Sequence, residues 1–196
     1  IAGSDSSIPI NFDDETTIAV AAESIRTNGP LDLVIVASGL LHYENKLFPE
    51  KTFRSLETNS LELLYKANTI GPALVAKHFI PLMTTEQKNV FAVLGARVGS
   101  IADNHLGGWY SYRMAKAALV MLIRTLAIET ARRNKKSVCV ALHPGTVDTN
   151  LSKPFQRSLT GNKLVDPSSA ATNLLRVINS LEPEHSGHQL AWDGTV

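Results

Sequence analysis

Three short runs of apolar, mostly β-branched residues, each followed by a longer helical pattern, constrain the fold of this chain most strongly. The runs cover residues 33–39, 90–94 and 137–142. Continuous apolar runs of this kind are typical of parallel strands that are buried on both faces. Because strand and helix alternate at the spacing of right-handed crossovers, the sequence predicts an α/β fold with a doubly wound parallel sheet.

The remaining patterns complete this alternation. Helical patterns cover residues 13–27, which open with a cap and an acidic first turn, and residues 55–83, 112–133 and 166–181, and Pro72 predicts a kink in the second of these helices. Residues 8–12 and 188–194 are predicted to form a brief first strand and a last strand with a turn. The chain has 196 residues, of which 44% are hydrophobic. This is enough for one sizeable core, so we expect a single domain over residues 1–196.

Composition argues against several classes of function. The formal net charge of +1 gives no electrostatic reason to expect nucleic acid or an anionic membrane as a partner. The basic cluster at residues 132–136 suits the end of a helix, where positive charge is favoured. Cys139 is the single cysteine, and the histidines show no spacing of a metal site. We therefore expect a cytoplasmic protein without a structural metal.

One pair of residues points to chemistry. Tyr112 and Lys116 are four residues apart, which places both side chains on one face of a helix. A free phenol titrates near pH 10, and an ammonium at about 4 Å contributes roughly 4 kcal/mol toward its ionisation at an intermediate dielectric. We therefore expect Lys116 to lower the pKa of Tyr112. The same spacing also arises by chance in helices, so the context decides.

That context consists of two further motifs in a fixed order. Asn68 lies in Lys-Ala-Asn-Thr-Ile-Gly-Pro, and the third apolar run is followed by the segment Pro-Gly-Thr-Val-Asp-Thr at residues 144–149. With Tyr112, Lys116 and the flanking Gly-Gly-Trp-Tyr-Ser-Tyr-Arg, they resemble the short-chain dehydrogenase/reductase family. The likeness covers nearly the whole chain. It is most detailed with the small carbonyl reductases that include the sniffer and C-factor proteins.

The resemblance implies a Rossmann-like domain that transfers hydride between C4 of NADP or NAD and an aldehyde, ketone or alcohol. Tyr112 would be the acid/base, Lys116 would also hold the ribose hydroxyls, and Asn68 would position a water for a proton relay. The alternative for Asn68 is a polar residue that closes the helix kink before Pro72. The implied cofactor contacts are Ala37, Gly39, Tyr112, Lys116, Pro144, Gly145, Thr146, Val147 and Thr149.

The chain departs from the pattern of this family in the turn that binds the substrate. The family has a Ser-Ser-x-x-Gly turn whose second serine binds the carbonyl, whereas alignment on Gly99 places Ala96 at that position. Loss of one such donor commonly costs about 3 kcal/mol of transition-state stabilisation. Ser100 is the candidate substitute. Its alternative role is that of a turn hydroxyl that bonds the local backbone.

The chain also departs from the family at its start. No three glycines have the spacing of the turn that binds a dinucleotide pyrophosphate. By analogy with the family, the first β-α-β part is absent from the given residues, either because it is not included or because the protein is shortened. In the second case, the strand at residue 33 would be an open apolar edge. The runner-up function is therefore a binding or signalling protein with weak catalysis.

The resemblance also predicts partners and a lid. The helices that carry Asn68 and Tyr112 form the usual subunit interface in the family, so a homodimer or homotetramer is expected. Residues 150–165 are expected to cover a small-molecule carbonyl or alcohol substrate.

Overall fold

The computed structural model describes residues 8–44, 46–158 and 164–196. The helices are α1 Glu15–Ile25, α2 Thr58–Tyr65, α3 Gly71–Phe79, α4 Tyr110–Thr130 and α5 Pro167–Ser180. The strands are β1 Leu33–Val36, β2 Asn89–Leu94, β3 Ser137–His143, β4 Thr146–Val147, β5 Leu164–Val165 and β6 Gln189–Ala191. Each predicted helix and all three central strands are therefore present.

The central sheet is parallel and has the order β1-β2-β3-β6. Phe91 of β2 lies between Val34 of β1 and Cys139 of β3, which fixes the register. Because the strands run in one direction, their carboxyl ends meet at one edge of the sheet. The short ladder between β4 and β5 was not predicted, and it holds the segment that follows β3.

Alternate residues of the strands contribute to two separate cores. On one face, Phe91, Val93, Cys139 and Ala141 pack with residues of α1, α3 and α4. On the other face, the strand residues Val90, Ala92, Val138, Val140 and Leu142 pack against α5. Helices on both faces explain why the central positions of β2 and β3, residues 90–94 and 138–142, are all apolar, as the prediction of a doubly wound sheet required.

Strand β1 differs from this pattern. Val34 and Val36 are buried, but Leu33 and Ile35 are 40% and 42% exposed. The prediction that this strand is buried on both faces is therefore wrong. The reason is that β1 is the edge of the described sheet and α5 does not cover its second face.

A further expectation needs correction. Residues 8–12 do not form a strand, because the chain turns back at Asn11, whose carbonyl accepts a hydrogen bond from the Asp14 N–H. The helical pattern over residues 55–83 is interrupted by a π turn, Lys66–Ile70, which ends directly before the first turn of α3, where Pro72 lies. No helix among the described residues is long and apolar enough to span a membrane.

Candidate active site

The Tyr112 and Lys116 side chains lie in the first two turns of α4, as the spacing predicted. Both are buried, with 7% and 3% of their surfaces exposed. The Lys116 Nζ atom is 5.7 Å from the centre of the Tyr112 ring. It donates a 2.7 Å hydrogen bond to the carbonyl of Leu94, the last residue of β2. This bond joins the Lys116 side chain directly to the carboxyl end of the sheet.

Burial determines how both groups titrate. It raises the pKa of Tyr112 to about 12 and lowers the pKa of Lys116 to about 8. The Tyr112 pKa is therefore raised and not lowered as the sequence predicted, because the loss of hydration outweighs the effect of the Lys116 charge. The Lys116 ammonium is itself poorly hydrated and directed at Leu94 O, so the loss of solvent dominates. At pH 7 the phenol is protonated and most Lys116 side chains are charged.

Asn68 lies in the π turn and is fully buried. Its Nδ2 donates to the carbonyls of Leu64 and Leu40 at 2.9 and 2.8 Å, and its Oδ1 accepts from the Leu40 N–H at 3.1 Å. The side chain thus ties the π turn to the loop after β1. These bonds account for a buried asparagine by structure alone, and a role in a proton relay stays a prediction.

Gly39 brings the loop after β1 against this pair. A Cβ at Gly39 would lie 3.3 Å from Asn68 Oδ1 and 3.8 Å from Lys116 Nζ. A side chain there would crowd Asn68, so the close approach to this residue favours glycine. Ala37 and Gly39 are exposed at the same edge of the sheet. The structure therefore brings Asn68, Lys116 and the end of β1 together, as the sequence predicted.

The turn after β2 contains Ala96 and Ser100, the two residues that the sequence analysis considered as partners of the substrate carbonyl. Ala96 packs in an apolar cluster with Tyr112, Leu41 and Leu47. Ser100 lies beyond this cluster, and its Oγ accepts a 3.3 Å hydrogen bond from the Asp103 N–H. Ser100 therefore serves the local turn in this structure. Its hydroxyl hydrogen stays available for donation.

The segment after β3 follows the same edge. Gly145 has a φ of +77°, which favours glycine, and a Cβ there would lie 3.5 Å from the Trp192 ring. Thr146 and Val147 are half-buried in β4, and the Thr149 N–H donates to Ser152 Oγ at 3.4 Å. Pro144 and Gly145 thus form a turn at the carboxyl end of β3, beside the strand that ends at Leu94.

An aromatic cluster that the sequence did not reveal borders the Tyr112 ring. Trp109 is 6.3 Å from Tyr112 and 4.8 Å from Phe155, measured between ring centres. His42 is 5.8 Å from Phe155 and 6.1 Å from Phe48. These rings come from three separate segments, so no local pattern could have found them. Part of the predicted lid, residues 159–163, lies outside the described residues.

Histidine and acidic side chains do not form a metal site in the part of the chain that the structure describes, where no group of three or more potential ligands occurs. Burial lowers the pKa of His143, with a further contribution from the positive charge of Arg97. His143 ends β3 directly before Pro144, so it borders the same edge of the sheet.

Comparison with known proteins agrees with this arrangement. A family model described as enoyl-(acyl carrier protein) reductase matches residues 2–183. The chain belongs to the short-chain dehydrogenase/reductase family. The parallel sheet with helices on both faces is accordingly the Rossmann-like fold of these enzymes.

The similar proteins include one named C-signal, a dehydrogenase and a carbonyl reductase. C-signal of Myxococcus xanthus is 35% identical over 131 residues, which are 67% of this chain and 74% of that protein. The 1-hydroxy-2-glutathionyl-2-methyl-3-butene dehydrogenase of a Rhodococcus species is 32% identical over 182 residues, 92% of this chain and 74% of the enzyme. The NADPH-bound carbonyl reductase from chicken fatty liver superposes with a TM-score of 0.83 at 27% identity, covering 96% of this chain and 75% of that structure.

The buried charge of Lys116 predicts a specific dependence of stability on pH. Its pKa falls from 10.5 to about 8 on folding. Below pH 8 the buried Lys116 charge lowers the free energy of unfolding by about 3 kcal/mol. Between pH 8 and 10.5, folded Lys116 is neutral while Lys116 of the unfolded chain still holds its proton. The cost therefore disappears as the pH rises toward 10.5. Lys116→Met removes this titration. In urea unfolding, wild type should therefore gain stability relative to Lys116→Met between pH 8 and 10.5.

The exposed Lys135 offers the control for this experiment. Wild type and Lys135→Met should keep a constant difference in unfolding free energy over the same range. A constant difference for Lys116→Met as well would contradict the burial of its ammonium.

Proposed function

We propose that this protein is an NADP- or NAD-dependent oxidoreductase that reduces an aldehyde or ketone, or oxidises the corresponding alcohol. The observation that carries the proposal is the buried Tyr112 and Lys116 pair at the carboxyl edge of the sheet, beside Gly39 and Leu94. Ligands bind at this edge in open α/β sheets. The family, the Rhodococcus dehydrogenase and the chicken carbonyl reductase support the same chemistry.

The residues at this edge fit the nicotinamide half of the cofactor. Lys116 has three N–H donors and uses one on Leu94 O, so two are available for ribose hydroxyls. Ala37 and Gly39 offer exposed backbone on one side, and Pro144, Gly145, Thr146, Val147 and Thr149 line the other. A bound nicotinamide would supply the hydride donor or acceptor. NADPH is the first cofactor to test, because the chicken enzyme holds it.

Tyr112 would transfer the proton. Because burial keeps its pKa at about 12, the phenol is neutral at pH 7 and can donate to a developing alkoxide. In this proposal the nearby Lys116 ammonium stabilises the tyrosinate that this step leaves behind. Asn68 would then position a water beside Lys116 and so connect the pair with bulk solvent.

The first prediction of this proposal concerns Tyr112. Tyr112→Phe removes the hydroxyl but keeps the ring that packs against Trp109. NADPH-dependent reduction of an aromatic aldehyde or a diketone should fall by about 10³-fold or more, within the range of general acid catalysis and proton positioning. NADPH binding, measured by nicotinamide fluorescence, should be retained. Equal turnover by the mutant would remove Tyr112 from the mechanism.

Ala96 is the position at which the enzyme and its alternative, a binding or signalling protein with weak catalysis, lead to different predictions. We propose that Ser100 donates to the substrate carbonyl in place of the missing serine. Ser100→Ala should then lower kcat/KM by about 10²-fold, and Ala96→Ser should restore activity in that background. If Ser100→Ala changes nothing while Ala96→Ser raises turnover, the wild-type chain lacks this donor and the weakly catalytic alternative is favoured.

We also propose that the protein self-associates through the face formed by α2, the π turn and α4. This face contains an open cavity of about 710 Å³, lined in part by Leu61, Leu63, Tyr65, Ile70 and Met114. Leu63, Tyr65, Ile70 and Met114 are exposed on this face, and neighbouring exposed apolar side chains are typical of interaction sites.

Light scattering at micromolar concentration tests the interface. Met114 is 56% exposed, and Met114→Glu should convert a dimer or tetramer into smaller species because it places a charge in the apolar face. Ile101 is 87% exposed and lies outside this face, so Ile101→Glu should leave the mass unchanged. A monomeric wild type would contradict the proposal.

A further inference from the structure

Helix α4 begins without a local cap. The backbone N–H groups of its first turn have no partner within the helix. Trp109 precedes the helix in a left-handed conformation, with a φ of +53°, and no side chain at that position provides a capping bond. Gly107 and Gly108 also have positive φ values. The start of the helix that carries Tyr112 therefore depends on contacts from elsewhere in the chain.

Glu50 provides these contacts from the loop after β1. Its carboxylate accepts hydrogen bonds from the Ser111 N–H, at 3.2 Å, and from the Ser111 hydroxyl. Its backbone carbonyl accepts from the Trp109 N–H at 2.5 Å. A Cβ at Gly108 would lie 3.3 Å from the same carbonyl, so the two segments are in close contact. Glu50 thus caps a helix that begins 60 residues later in the sequence.

The burial of Glu50 makes this contact unusual. Only 5% of its surface is exposed, and it forms no ion pair with any described residue. A buried carboxylate without hydrogen bonds is strongly disfavoured. Here the Ser111 donors and the positive end of the α4 dipole compensate for the lost hydration.

Tyr112 is held on both sides by this arrangement. Ser111 precedes it and binds Glu50, while Arg113 follows it and donates to the carbonyls of Gly108 and Val98 at 3.0 and 3.1 Å. Leu47, from the same loop as Glu50, packs in the cluster that contains the Tyr112 ring. A shift of the helix start would therefore move the phenol.

From these contacts we infer that Glu50 is a positioning residue, which fixes the Tyr112 hydroxyl by anchoring the first turn of α4. The inference rests on the proposed function, since its kinetic consequence requires that Tyr112 acts on a substrate. Errors of about 1 Å in the placement of a catalytic group cost on the order of 10²-fold in rate.

The kinetic test compares two substitutions at this position. Glu50→Ala removes both acceptor oxygens, whereas Glu50→Gln keeps one acceptor for the Ser111 N–H. With NADPH and an aromatic aldehyde, Glu50→Ala should lower kcat by about 10²-fold, with little change in the KM for the aldehyde or in NADPH binding. Glu50→Gln should recover most of the lost kcat. Glu57 is an exposed glutamate in the same stretch, so Glu57→Ala is the matched control and should leave kcat unchanged.

A double-mutant cycle with Ser111→Ala identifies the partner. If Glu50 acts through Ser111, the loss in the double mutant should be smaller than the product of the two single losses. A folded Glu50→Ala protein with wild-type kcat would overturn the inference. So would independent, multiplicative losses in the cycle.

A second readout separates this inference from the proposed function. The emission of Trp109, measured in a Trp192→Phe background, reports the start of α4 whether or not the protein turns over a substrate. Glu50→Ala should shift this emission toward longer wavelength because the ring becomes more hydrated, and Glu50→Gln should not. If the wild type shows no turnover but the shift occurs, the proposed function fails while the anchoring of α4 stands. An unchanged emission overturns the anchoring itself. If Glu50→Ala does not fold, Ser111→Ala decides, since it removes the hydroxyl that donates to Glu50 and should shift the emission in the same direction; an unchanged emission in Ser111→Ala would then overturn the anchoring.

Discussion

The hydrogen bond from the Lys116 ammonium to the carbonyl of Leu94 is the interaction on which the rest of the site depends. It places a buried charge of helix α4 at the end of β2, 2.7 Å from the sheet backbone. A Cβ at Gly99 would lie 2.9 Å from the backbone carbon and the Cβ of Lys116, and a Cβ at Gly39 would be in van der Waals contact with the Lys116 Nζ atom, at 3.8 Å. The β1 loop, the β2 turn and α4 therefore meet at Lys116.

The same burial explains the electrostatics. A lysine near a tyrosine is expected to lower the phenol pKa when the pair is hydrated, but here both groups lose solvent. The Tyr112 pKa rises to about 12 and the Lys116 pKa falls to about 8. At pH 7 the site thus holds a neutral phenol beside an ammonium whose pKa is lowered.

Most of the fold was predictable because local patterns encode it. The β-branched runs identified β1, β2 and β3, and the Tyr112 and Lys116 spacing located the face of α4 that enters the site. Contacts between distant residues were not predictable. The exposure of Leu33 and Ile35 depends on where α5 packs, and the hydrogen bonds of Asn68 join the π turn to Leu40 of the β1 loop, 28 residues away. Glu50 has no local signal because its partner is 61 residues away.

The central claim is that hydride passes between a nicotinamide and a carbonyl carbon at this edge of the sheet. Transfer of isotope tests it most directly. The purified protein, with its intact mass determined, is incubated with an aromatic aldehyde and with NADPH that carries deuterium on one face of C4, and the alcohol is examined by mass spectrometry. The account predicts deuterium on the carbinol carbon from one of the two C4 isomers only. Absence of labelled alcohol with both isomers, and with both corresponding forms of NADH, would contradict it.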